Sequence, residues 1–447
     1  MAEFAPNIGE IALAAEPSAA VAAAPTRVAP SRRLEILLWG GALLILGNLA
    51  APGFGLITLP ITFFLKNKLH LQSHQLAIFN LCTGAPLYLA FAFGLLRDRW
   101  SPWRGGDRGH LILFGAASAA IYAAMAVLEP TYAVLFVGVL AVTVTLMMVA
   151  SAANGLISTI GQQHVMAGQV SMAFLVANAV PTVAAYLFGG AFSQVLEGQA
   201  AASAARAIFL VAAGLMVAIA FFGFRGPRSL FSAAYSQAPA QTTVLRDIVR
   251  LLSWWPVWPA LVIQILWQFG PALGLVMQYH LANDLHATDG QVGLFYAIFY
   301  ACLVPTYALY GWLCQRVRLK ALLWWGAAAG VPQMAPLLFI HSPADAFLAA
   351  IPIGLMGGFA TAAFLDLAIR STPRGLQGTM MMLITTSAYW MATRFGDLWG
   401  TDLYDHHGGF LTAVLATIGV YALILPLLLT VPKRLIATAD GELIAER

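Results

Sequence analysis

From about residue 34 the hydrophobic positions run in near-continuous stretches of roughly 20 to 30 residues, separated by short polar segments. Each stretch is long enough to cross the ~30 Å of bilayer hydrocarbon at 1.5 Å per residue. Twelve can be drawn, near 36–64, 75–97, 109–128, 131–160, 166–195, 204–224, 256–283, 290–315, 319–340, 344–370, 376–401 and 409–431. In lipid only helices and closed barrels satisfy every backbone group, and these runs are too long and continuous for the weak alternation of barrel strands. The pattern predicts an all-α membrane protein of twelve transmembrane helices.

The most polar interruption, residues 225–255, follows the sixth stretch and divides the chain into six-helix halves over 34–224 and 256–431, with tails at 1–33 and 432–447. The first tail is rich in Ala, Pro and Val but broken by Glu3, Glu10 and Glu16, with no basic region leading into an apolar core. It reads as a disordered cytoplasmic tail and not as a signal peptide. The halves share a repeat: Ile61 to Phe79 aligns without gaps on Met277 to Phe295, with identities at Leu65/Leu281, Asn67/Asn283, Leu69/Leu285, His70/His286, Gln75/Gln291 and Phe79/Phe295. Six helices per half give both copies one orientation, the parallel repeat of transporters whose halves rock about a central site. The first and seventh stretches also carry matched helix-loosening residues, Pro52, Gly53 and Gly55 against Gly270, Pro271 and Gly274. Paired interruptions of this kind point to a transport site, although Gly and Pro are common in membrane helices generally.

Composition narrows the class. With 60% hydrophobic and 9% charged residues, the chain lacks the charge that covers a soluble protein, which excludes a nucleic-acid-binding domain or an ordinary soluble enzyme. The net charge of +4 reports orientation. With the N-terminus inside, 19 of the 23 Lys and Arg residues fall on inside segments; Lys66, Lys68 and Arg206 fall outside and Arg394 lies within a helix. Both termini are therefore expected on the cytoplasmic side of an inner or plasma membrane. Cys82, Cys302 and Cys314 sit in apolar stretches at no metal-ligand spacing, so no disulfide framework, metal or cofactor is expected.

The loop after the second helix reads Gly94-Leu-Leu-Arg97-Asp98-Arg99-Trp-Ser-Pro-Trp-Arg104-Gly-Gly-Asp107-Arg108. An acid one turn past a helix glycine, followed by arginines, suits a clamp on neighbouring helix ends that breaks when an inner gate opens; a loop merely positive-inside has the same charge. Gly94, Asp98, Arg99, Arg104 and Arg108 are the candidate gating residues. The matching stretch of the second half, Gly311-Trp-Leu-Cys314-Gln315-Arg316, lacks the acid. This loop resembles the signature of the major facilitator superfamily, and the resemblance, extending over nearly the whole chain after residue 34, implies twelve helices in two parallel halves. Phe269 through Leu285, Gly293, and Asp366 through Ser371, Pro373, Gly375, Gly378 and Thr379 are similar to the folate–biopterin transporter branch and, less closely, to muropeptide permeases. That implies pterin-like or peptidoglycan-derived solutes, but Phe91, Ala92 and Phe93 stand where the pterin branch places Lys and Pro before the glycine, so the substrate does not carry over.

Charges inside a bilayer cost about 2.5 to 3.5 kcal/mol at a helix centre and are rarely incidental. Arg394 and Asp397 lie three residues apart in the eleventh stretch, within a polar stripe of Thr386, Trp390, Thr393, Asp397 and Thr401. They read either as an anion site with a proton-carrying carboxylate or as a permanent internal ion pair. Asp366, four residues before Arg370, is the alternative proton site, or a solvated structural bridge. Asn48, Asn154, Trp267, Gln268, Gln278, Tyr279 and Tyr300 are expected around the substrate cavity, the aromatics serving either to stack on a planar ligand or simply to pack. Several histidines, among them His406 and His407 beside Asp402 and Asp405, are candidate metal captors or solvated loop residues.

The combined expectation is a monomeric secondary transporter of a small organic solute, working by alternating access with protons or another coupling ion, with no nucleic-acid partner. The chain lacks the G-x-x-x-x-G-K-[ST], H-E-x-x-H and G-x-S-x-G patterns, which argues against ATP-driven transport and against an enzyme. A non-transporting assembly or pigment-delivery factor of the same fold, and a divalent-metal or drug exporter, stay open; Asn178 through Pro181 with Gly189 and Gly190 faintly echo an antiporter motif.

Overall fold

A computed structural model describes residues 28–442 apart from 53–56, 58–60, 62–64, 66–68, 70–72, 198–200, 228–229 and 232–243. Nine of the nineteen residues of the first copy of the repeat, Lys66, Lys68 and His70 among them, lie outside the described residues, as do Gly53 and Gly55.

The helices of the first half are α1 (Pro30–Leu49), α2 (Ser73–Tyr88), α3 (Ala90–Arg99), α4 (Asp107–Val127), α5 (Tyr132–Gln163), α6 (Ala167–Glu197) and α7 (Ala201–Arg225). α2 and α3 are two pieces of the second predicted span, parted at Leu89 after Pro86, whose ring cannot continue the hydrogen-bond ladder. α5 is opened by Thr131, whose side chain accepts from the Val134 N–H at 3.3 Å. Its 32 residues exceed what the hydrocarbon requires, and its last turns, Ser151 to Gly161, are buried. The segment predicted as a linker contains a short helix, α8 (Val244–Ser253), bent by 82° against the next element.

The second half begins with a broken span: α9 (Val257–Gln268), an irregular stretch through Gly270, Pro271 and Gly274, then α10 (Leu275–Tyr279) and a π-helical turn at His280–Asp284. Gly274 has φ +63°, a conformation glycine adopts without the penalty of a Cβ. α11 (Asp289–Leu313) starts in a capping box between Thr288 and Gln291. α12 (Leu319–Gly330) tightens into a 3₁₀ stretch at Pro332–Phe339, followed by α13 (Pro343–Ser371). The eleventh span is α14 (Gln377–Met382), a π-helical segment at Leu383–Ala388, and α15 (Tyr389–His406); α16 (Gly409–Ala422) begins the last span, which continues to Thr430. The π segment breaks the 3.6-residue phase between Thr386 and Trp390, so the predicted polar stripe is not one straight face.

Among the described residues nine helices are long and apolar enough to span a bilayer, and a tenth if the bent pair α8–α9 is one span. The exceptions have chemical reasons. α1 opens on Arg32, Arg33 and Glu35; the seventh span is broken; α15 carries Arg394, Asp397, Asp402 and Asp405.

Small residues bring the helix axes together where lipid offers no hydrophobic drive. Gly115 of α4 abuts Ala220 of α7, and Gly326 of α12 abuts Ala360 of α13. The apolar interior falls into two main clusters, one built largely from α1 to α7 and one from α9 to α16. The first also takes in Leu365, Ala368 and Ile369 of α13 and Met380 and Met381 of α14, so the chain halves pack tightly where these helices end. That end, which also holds Arg97 to Arg108, is called the Arg-rich end below.

Candidate functional site

Two sites emerge, a charged junction at the Arg-rich end and a polar region around the break between α9 and α10. The junction is built on Asp98, in the last turn of α3. Its buried carboxylate accepts from the backbone N–H of Gly378 (3.0 Å) and Thr379 (2.7 Å) and from the Thr379 hydroxyl (2.7 Å), capping the first turn of α14. These N–H groups have no partner within their own helix, and the helix dipole favours an anion there. Gly94 makes the approach possible, because a Cβ on it would strike the Gly378 carbonyl. Gly94 and Asp98 are thus brought together on one helix end.

The arginines are distributed differently from the sequence reading. Arg97 forms the clamp: it donates to Asp98 (2.7 Å) and, through two nitrogens, to both oxygens of Asp107 (2.6 Å each). Its guanidinium lies against Gly155 of α5, where any side chain would collide with it. Arg99 instead pairs with Asp247 of α8 at 3.1 Å, and Arg108 donates to the Gly226 carbonyl (2.9 Å) while covering the Phe231 ring at 4.7 Å. Both tie the loop to the segment between the halves. The Arg104 side chain lies outside the described residues. A neutral junction adds to the charged one: Gln162, at the end of α5, donates to the Ile369 and Thr372 carbonyls (2.8 Å each) and accepts from Gln377 (2.8 Å).

Asp366 belongs to the same end. The reading as a solvated i,i+4 bridge is corrected: the residue is 0% exposed, and its carboxylate accepts from Arg370 (2.8 Å) and from the Tyr310 hydroxyl (2.8 Å). Arg370 also binds Asp440 from the C-terminal tail at 2.8 Å. Two carboxylates therefore share one guanidinium in a dry setting.

Asp397 sits at the broken span. Its side chain accepts from the Leu275 N–H at 3.2 Å, where α10 begins, and lies so close to Gly274 that a Cβ there would collide with its oxygen. Tyr296 donates to the Gly274 carbonyl at 3.0 Å, bracing the same turn. The Arg394–Asp397 separation is 3.7 Å with the Arg394 side chain 54% exposed, a loose pair and not a locked one. Arg394 also lies over the ring of Trp390, 5.7 Å from its centroid.

The predicted cavity residues divide. Trp267 is packing: it donates to the Thr361 hydroxyl (2.9 Å) and stacks on Tyr421 at 4.7 Å. Asn48 ties α1 to α6 through the Ala177 carbonyl (3.1 Å), and buried Asn154 reaches the Met382 sulfur at 3.6 Å. Gln278 and Tyr279 are exposed, with Gln278 within reach of the Tyr296 hydroxyl, and Gln268 is half-buried at the end of α9. Tyr300 enters a three-ring stack not foreseen from sequence, in which Tyr186 of α6 lies parallel to both Tyr296 (5.3 Å) and Tyr300 (5.8 Å) of α11. His406 and His407 approach Asp402 at 3.4 and 3.6 Å, but among the described residues no three side chains form a metal-holding group.

The fold is similar to that of solved transporters of the major facilitator superfamily. It is similar to FucP, a transporter of that superfamily in its outward conformation, at TM-score 0.65 and 15% identity over 90% of this chain and 99% of that one. It is also similar to the proton:xylose symporter XylE bound to 6-bromo-6-deoxy-D-glucose (TM-score 0.66, 13% identity, 92% and 98% covered). A bacterial homologue of the iron transporter ferroportin in its outward-facing state gives TM-score 0.63 at 16% identity, with 89% and 98% covered. No family's sequence pattern and no curated relative matches the chain by sequence.

Proposed function

We propose that the protein is a secondary transporter that carries a small organic solute across the inner or plasma membrane by alternating access, with both termini and the Arg-rich end on the cytoplasmic side. The observation that carries this reading is the Asp98 cap on α14: a charge-assisted junction between opposite chain halves, set in a transporter fold, that must break for that end to open. The six-plus-six division at residues 225–255 and the excess of Lys and Arg at this end support the arrangement and the orientation.

Proton coupling is assigned to Asp397. As a carboxylate it holds the start of α10; protonated, it accepts the Leu275 N–H more weakly and frees the second piece of the broken span to move. The loose contact with Arg394 leaves that guanidinium available to an anionic solute. The Tyr186–Tyr296–Tyr300 stack and exposed Tyr279 suit a solute with a planar face, which places pterins first among compounds to try.

The test is uptake into proteoliposomes of purified full-length protein under an imposed proton gradient, screened with pterins, amino sugars, organic anions and divalent metals. Accumulation of one organic solute that a protonophore abolishes is the expected result. Accumulation of none of them contradicts transport and favours an assembly role for the fold.

A further inference from the structure

The Asp98 lock has no sequence counterpart in the second half. Four residues past Gly311, where the acid would stand, is Gln315, and its amide donates to the Gly311 carbonyl in its own turn at 2.9 Å. Yet the helix end such an acid would cap exists. α6 opens Ala167-Gly168-Gln169 much as α14 opens Gln377-Gly378-Thr379, and in both the glycine admits a close neighbour: Gly378 faces Asp98 and Arg97, Gly168 faces Cys314 and Asp366.

We propose that the C-terminal tail supplies the missing carboxylate, so that Asp440 acts as the second gate latch and the tail as a strap across the cytoplasmic end. Asp440 accepts from the Gln169 N–H at 3.0 Å, with the Gly168 N–H as a second donor, while its other oxygen takes Arg370 at 2.8 Å. This repeats, with a residue from elsewhere in the chain, what Asp98 does with Gly378, Thr379 and Arg97. The tail backbone is fastened to both halves. The Asp440 N–H donates to the Cys314 carbonyl (2.8 Å) and the Gly441 N–H to the Val165 carbonyl (2.7 Å), while the Thr438 carbonyl accepts from Arg370 (2.9 Å). Val165, Gly168 and Gln169 precede the 225–255 segment; Cys314 and Arg370 follow it. Rocking the halves apart at this end requires the tail to release one side. The inference rests on the transport reading for its purpose, but not for its geometry.

The groups facing Asp440 are Asp366 and Arg370 of α13, Tyr310 of α11, Cys314 just beyond it, and the α6 backbone; Arg33 of α1 lies by Gly441. Burial pushes the Asp440 carboxyl up to about 7, with Asp366 adding to the rise and Arg370 opposing it. The docked value stands above the ordinary carboxylate value of about 3.9, so docking takes up a proton between the two. Docking is therefore firmest below the ordinary carboxylate value, loosens as pH rises from there to about 7, and changes no further above it.

Cys314 reports the strap directly, since it is 0% exposed beneath Asp440. In full-length protein carrying Cys82→Ser and Cys302→Ser, the rate of maleimide labelling of Cys314 is compared with that of the denatured chain at the same pH, which removes the thiol's own reactivity. Strong protection is expected, falling between pH 5 and pH 7, and Asp440→Ala, which leaves the Gln169 N–H and Arg370 without this acceptor, is expected to label at least about tenfold faster at pH 6, the scale of one lost hydrogen bond to a charged group. Protection flat with pH and labelling unchanged in Asp440→Ala would overturn the proposal; the pH series uses no tail variant that has to fold. The assay needs no solute. Transport with labelling indifferent to Asp440 removes the strap and keeps the transporter, and a strap without transport does the reverse.

Discussion

Asp98→Asn lowers solute uptake and solute exchange together, by about a hundredfold or more. The substitution keeps the shape of the side chain but leaves one oxygen where two are needed, since the carboxylate answers Gly378 with one oxygen and the N–H and hydroxyl of Thr379 with the other. The amide nitrogen then faces a donor. Arg97 also loses a partner while still buried against Gly155, and breaking one side of a buried pair costs about 3–5 kcal/mol. At 1.4 kcal/mol per tenfold, that cost is enough to move a two-state gate from mostly closed to mostly open on the cytoplasmic side. A transporter held in one state neither accumulates nor exchanges. Initial rates of uptake and counterflow in proteoliposomes check this, and retention of either at the parent rate contradicts the role given to Asp98.

Asp397→Asn separates the two activities instead. Asparagine can still accept the Leu275 N–H, so the start of α10 keeps its cap and the halves keep rocking. It cannot take up or release a proton. Uptake driven by a proton gradient is expected to fall to background, while exchange of labelled for unlabelled solute stays within about threefold of the parent, the scale of a hydrogen bond weakened by loss of charge. Because the Arg394 contact is loose at 3.7 Å, its loss adds little to either number. Loss of both activities would make Asp397 a structural cap only, and unchanged driven uptake would move the proton site to Asp366.

What is legible in the sequence is whatever is local along it. The membrane helices, the polar segment between halves, and the Gly94–Asp98 spacing follow from hydrophobic runs and an i,i+4 step. Arg97 was harder to single out, because one more arginine in an Arg-rich loop looks like a topology signal; only the fold reveals that it faces Asp107 and Gly155 while Arg99 and Arg108 turn to α8 and Phe231. The spacing of Arg394 and Asp397 sets them near each other on one helix, but it cannot show that the carboxylate accepts from a backbone N–H 122 residues away. Trp267 and Tyr300 could not be told apart as packing and stack, since indole and phenol rings bury well in either role. Asp440 lay beyond any local pattern: its partners are 70 residues back at Arg370 and 271 back at Gln169, in a tail whose composition resembles a loop.

The central claim is a cytoplasmic end held shut by a breakable lock, and spin-label distance measurements read it without a known solute. Labels at positions 225 and 320, exposed at the Arg-rich ends of α7 and α12, sit in opposite halves. The account predicts one dominant short distance in the parent and a second, longer population in Asp98→Asn. An identical distance distribution in the two proteins would contradict it.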